Sequence, residues 1–127
     1  MVKQSNKKPD LAIHSPVPKK KLDRAELEKL GALFSAFADA TRLSILQELR
    51  QGRLSVGELV ASLGTSQANI SKHLKILHQA DLLVREREGL QVFYKVAEES
   101  IYEMCQFACK RLNQRGQQSW IEGDYFI

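Results

Sequence analysis

The stretch from Ser55 to Ala80 constrains the fold most, because it reads as two short helices separated by only three residues. Ser55-Val56-Gly57-Glu58 is a capping box, in which the serine and the glutamate satisfy opposite backbone donors at a helix start. Leu59 and Leu63 follow at helical spacing, and Gly64 ends the run. Gly64-Thr65-Ser66 then turns the chain into a second helix from about Gln67 to Ala80, with Ile70, Leu74 and Leu77 as its core stripe. Two helices joined by a tight, glycine-containing turn form a helix-turn-helix pattern.

The flanks extend it. Leu27, Leu30, Phe34 and Phe37 recur at three- and four-residue steps, which predicts a helix from Asp23 to about Ala38 with one apolar face. Asp39 caps a second helix, whose buried side is Leu43, Leu46 and Leu49 and which Gly52 stops. Beyond Ala80, Leu82–Arg87 and Val92–Val96 are strand-like runs around Glu88-Gly89-Leu90-Gln91, a hairpin with a glycine-containing turn. A hairpin directly after a helix-turn-helix is a wing. A last helix from about Glu98 to Asn113 carries Ile101, Cys105, Ala108, Cys109 and Leu112 along one side. The expected fold is therefore mainly α with a small β-hairpin, a winged helix-turn-helix in the order α-α-α-α-β-β-α. Residues 23–113 form this domain, between a flexible basic arm (1–22) and a Gln-rich tail (114–127) that ends in aromatic and apolar residues.

Asp39-Ala40-Thr41-Arg42-Leu43-Ser44-Ile45-Leu46, Leu54–Leu59, Ser66–Leu74 and the wing end Val92-Phe93-Tyr94 resemble the ArsR/SmtB repressors, over roughly residues 24–113. The resemblance implies a transcriptional repressor, homodimeric through its first and last helices. Such a protein binds an imperfect inverted repeat in double-stranded DNA and is released by an inducer. Metal-sensing relatives carry Cys-Val-Cys where this chain has Ser55-Val56-Gly57. Their last-helix site matches Glu98, Ser100, Arg111 and Gln114, of which only Glu98 suits a ligand. Neither a metal site nor a cofactor is expected.

The residues themselves also indicate how DNA is read. Gln67, Ala68, Ser71, Lys72 and Lys75 share a face of the second helix away from the core stripe. Gln pairs with adenine, Ser either donates or accepts, and an Ala methyl packs on thymine, while the lysines suit phosphates. Thr65 and Ser66 sit at the helix N-terminus, where open N–H groups and the dipole favour an anion. In the wing, Arg85, Arg87, Gln91 and Lys95 are candidates for backbone or minor-groove contacts, with Glu86 and Glu88 beside them limiting the positive charge. His73 flanks the core stripe, and a structural role is favoured for it.

Charge alone is a poor guide. Six lysines against one aspartate give the arm +5, so of the chain's net +4 only −1 is left for the rest. The arm suits either a phosphate backbone or a solubilising tail. No secretory signal or membrane-spanning run is visible, which predicts a cytoplasmic protein with reduced thiols. Cys105 and Cys109, four apart on the last helix, either pack or serve as thiols for a soft-metal, arsenite, sulfur or oxidant inducer. No phosphate loop, ligand cluster or nucleophile–base pair points to an enzyme. A winged helix used for protein–protein contact and a nonspecific nucleoid-type DNA binder are the alternatives.

Overall fold

The computed structural model describes residues 20–116. Among them are five helices and three strands: α1 (Arg24–Phe37), α2 (Ala40–Glu48), β1 (Leu54–Ser55), α3 (Val56–Leu63), α4 (Gln67–Gln79), β2 (Leu83–Glu88), β3 (Gln91–Val96) and α5 (Ser100–Gly116). The arm up to residue 19 and the tail from 117 lie outside the described residues.

Local chemistry sets the boundaries. Capping boxes open α1 (Asp23 with Glu26) and α3 (Ser55 with Glu58), and Asp39 and Ser66 cap α2 and α4 through their side chains. α2 closes in a 3₁₀ turn over Leu49–Gln51 before Gly52. Gly64 ends α3 at φ 66, a left-handed conformation that glycine takes without a Cβ penalty, and the chain enters α4 within three residues.

The core is where α2, α3 and α4 meet. Ile45, Leu46, Leu59, Ile70, Leu74 and Leu77 are fully buried. Leu43, expected on the buried side of α2, is only half-buried, and Ile45 takes the central place. Leu82 and Leu83 carry the core towards the sheet, and Ile101, Tyr102 and Cys105 of α5 close it. Tyr102 Oη donates to the Leu46 carbonyl at 2.8 Å, and Arg50 lies 4.6 Å over its ring. Burial pushes the phenol up to about 12, so it stays a neutral donor.

The wing is larger than a hairpin. β2 and β3 pair antiparallel from Leu83↔Val96 to Glu88↔Gln91, and β1 adds to the free edge of β3 through Leu54↔Tyr94 and Ser55↔Phe93. The sheet order is β1-β3-β2. Glu88 and Gln91 belong to the strands, so the turn shortens to Gly89-Leu90, with Gly89 at φ 64. α5 begins at Ser100 and runs on to Gly116, past the expected end at Asn113.

Candidate nucleic-acid interface

Burial divides α4 into two sides. Ile70, His73, Leu74 and Leu77 are buried against the core, while Gln67, Ala68, Ser71, Lys72 and Lys75 are exposed together. Three- and four-residue steps place these five on one outward face, with small residues at 68 and 71 where a base edge must approach. Among the described residues, neither Lys72 nor Lys75 has an ion-pair partner.

At the start of α4 the two hydroxyls are already employed. Ser66 Oγ accepts the Asn69 N–H at 3.1 Å, and Thr65 Oγ1 accepts from Asn69 Nδ2 at 3.1 Å. Both retain an O–H to donate. Capping leaves the Gln67 and Ala68 amides as the open donors of the first turn, the groups a phosphate would meet.

The back of α4 is locked to the C-terminal end of α1. Arg42 donates from Nε to the Ala36 carbonyl at 2.7 Å and from Nη2 to the Ser35 carbonyl at 3.1 Å. Its Nη1 lies 2.9 Å from His73 Nδ1. An arginine only donates, so Nδ1 accepts and the ring carries its proton on Nε2. Asp39 Oδ1 stands 3.8 Å from the same nitrogen. The Arg42 backbone N–H holds the Asp39 carboxyl below its ordinary value, and the Arg42 guanidinium adds to this. His73 is thus a buried strut between elements. His78 meets Tyr94 of β3 edge-on at 6.4 Å and ties α4 to the wing.

The wing candidates separate by strand alternation. Arg85 pairs with Tyr94 and Arg87 with Val92, so both arginines share the face that Tyr94 turns towards α4. Gln91 pairs with Glu88 and lies on the opposite face, with Glu86, Phe93 and Lys95. All four candidates, Lys95 included, are exposed. Glu86 and Glu88 do not oppose the arginines, because Lys95 and Arg53 engage them. Lys95, held 2.8 Å from Glu86, is thereby committed.

Cys105 is buried and Cys109 half-buried on α5. Burial pushes the Cys105 thiol up, and the neighbouring Cys109 adds to this. Among the described residues, no three His, Cys, Asp or Glu side chains are grouped to hold a metal ion. Nor is any helix among them long and apolar enough to cross a membrane. The apolar face expected on α1 is exposed in the single chain: Leu27 is 49%, Leu30 39% and Phe34 51% exposed, while Phe37 is half-buried. Phe107 and Leu112 of α5 are likewise open.

Comparison with known proteins agrees with this geometry. Residues 39–84, which span α2 to the start of β2, match the family described as bacterial regulatory protein, arsR family. The HTH-type transcriptional repressor SmtB of Mycobacterium tuberculosis is 38% identical over 84 residues, covering 66% of this chain and 58% of that protein. An HTH-type transcriptional regulator of Methanocaldococcus jannaschii is 36% identical over 78 residues, covering 61% of this chain and 88% of the relative. The crystal structure of Mycobacterium tuberculosis Rv0081 superposes with a TM-score of 0.67 at 31% identity, over 75% of this chain and 97% of that one.

Proposed function

This chain belongs to the ArsR family of bacterial regulatory proteins, which are DNA-binding regulators of transcription rather than enzymes, and from that premise we propose that it is a repressor acting as a homodimer on an imperfect inverted repeat. The observation that carries the reading is the outward face of α4, with Gln67, Ala68, Ser71, Lys72 and Lys75 exposed beside a wing. Gln67 and Ser71 read base edges, Ala68 packs on a thymine methyl, and Lys72 and Lys75 hold phosphates. Thr65, Ser66 and the open amides behind them seat a further phosphate. Arg85, Arg87 and Gln91 grip the flanking backbone.

The dimer follows from the open apolar side chains of α1 and α5, which a second copy covers. Two α4 helices about 34–36 Å apart then enter successive major grooves. Residues 1–22 act as a basic arm, and those beyond the end of α5 at Gly116 as a tail, on this unit. Of the two thiols, Cys105 is the packing residue, and Cys109 is the one a thiol-reactive inducer meets first.

Purified protein is titrated with salt on its own upstream DNA and on a scrambled control, with and without a thiol oxidant. Tight binding to the upstream DNA alone is expected, with a steep log–log salt slope that drops by about one in Lys72→Ala. Equal binding to both DNAs would support a nonspecific binder, and binding to neither a protein-contact module. Release by oxidant in the wild type but not in Cys109→Ser would identify the inducer class.

A further inference from the structure

The wing carries three cations and two carboxylates of its own: Arg85, Arg87 and Lys95 against Glu86 and Glu88. Two carboxylates are out of place on a surface meant for phosphates, since they repel the backbone over the same range at which the arginines attract it. Strand alternation separates them, with both acids on one face and both arginines on the other. A residue from outside the hairpin then engages the acids. Arg53, next to β1, donates from Nη1 to Glu86 Oε1 at 3.2 Å and from Nη2 to Glu88 Oε2. Its guanidinium lies 4.2 Å over the Phe93 ring, and Lys95 Nζ holds the other oxygen of Glu86 at 2.8 Å. With Arg53 and Lys95 in place the acidic face sums to zero, while the opposite face keeps Arg85 and Arg87 without an acidic partner among the described residues.

We propose that Arg53 is a positioning residue for DNA binding: it masks the Glu86 and Glu88 carboxylates and clamps the wing to the β1 edge, so that Arg85 and Arg87 meet the phosphates unopposed. Lys95 first, and then Arg53, hold the Glu86 carboxyl below its ordinary value, which keeps it an anion in need of a partner. Without Arg53 that face becomes −1. The inference rests on the DNA-binding reading above and adds to it a residue outside both the recognition helix and the hairpin.

Binding to the upstream DNA is measured against salt for the wild type, Lys72→Ala, Arg53→Gln, Arg53→Lys and the triple variant Arg53→Gln/Glu86→Gln/Glu88→Gln. Arg53→Gln is expected to lose about tenfold in affinity at low salt, with a log–log slope shallower by about one. The triple variant is expected to regain wild-type affinity, which a packing role alone cannot produce. Arg53→Lys keeps the charge and is expected to keep the slope, and it carries the test should Arg53→Gln unfold. Wild-type binding by Arg53→Gln would overturn the proposal, as would a triple variant no better than Arg53→Gln, or a slope lost in a folded Arg53→Lys. A wild type that binds no DNA, with Lys72→Ala equally silent, would instead overturn the DNA-binding reading and the role of Arg53 with it.

Discussion

Tyr102 shows how much of the fold depends on single polar contacts across the core. Its hydroxyl is the buried donor to the Leu46 carbonyl near the end of α2, a carbonyl that the last helical turn leaves short of partners. Tyr102→Phe keeps the ring under Arg50 but strands that carbonyl, at a cost of about 1–2 kcal/mol. The melting temperature is expected to fall by several degrees in thermal unfolding at neutral pH, with the helical signal otherwise unchanged. An unchanged midpoint would mean that water replaces the phenol. This residue was not legible in the sequence. Periodicity marked Ile101 and Cys105 beside it, but the partner lies 56 residues away, and no local pattern reports a bond over that separation. Arg53 escaped for the same reason, since Glu86 and Glu88 are 33 and 35 residues off. The outward residues of α4 were legible, because one helical wheel sorts them from Ile70, Leu74 and Leu77 without any long-range information.

Among the elements, the exit from α4 sets the direction of the wing. Leu82 N–H bonds the Leu77 carbonyl at 3.0 Å and Asp81 N–H the His78 carbonyl at 3.0 Å, the two bonds of a Schellman motif, with both leucines buried. Asp81 fills the left-handed position at φ 60, where most helices use glycine. Aspartate tolerates that conformation better than most residues but still carries a Cβ penalty. Asp81→Gly is therefore expected to stabilise the domain by about 0.5–1 kcal/mol, a rise of a few degrees in thermal unfolding, with α4 and the sheet unchanged. A loss of stability would show that the aspartate contributes more as a side chain than its backbone costs. The helices were legible as elements because caps and apolar steps are local signals. β1 was not, because a two-residue strand has no period, and Ser55 already reads as a helix cap. The hairpin is legible in its place but its turn reads too long, since Glu88 and Gln91 look like turn residues until cross-strand pairing claims them.

For the whole molecule the packing turns on α1. Its leucine–phenylalanine stripe has the spacing of a core face, yet Leu27, Leu30 and Phe34 remain exposed in one chain. The sequence shows that a stripe is apolar but not whether its partner lies in the same chain or in another. A groove of about 290 Å³ between α1 and α5, lined by Leu33, Phe37, Ile101 and Met104, continues the same apolar surface. A second copy seated on these helices removes it from water, and a stable interface of this kind buries about 800 Å² per partner. Phe34→Glu and Phe107→Glu each place a carboxylate in that contact without touching the buried core, since both rings are more than half exposed. Each variant is expected to sediment as a monomer with wild-type helical content. Each should also bind a single half-site as the wild type does. The full inverted repeat tests the consequence. Linking two half-site contacts raises avidity by about 10²–10⁴, so a monomer that keeps its recognition helix should lose a factor in that range on the repeat and little on the half-site. If Phe34→Glu remains a dimer and keeps the repeat, α1 does not form the interface. If it is monomeric yet binds the repeat with full affinity, the two half-sites are not read together, and the inverted-repeat reading fails although the recognition helix stands.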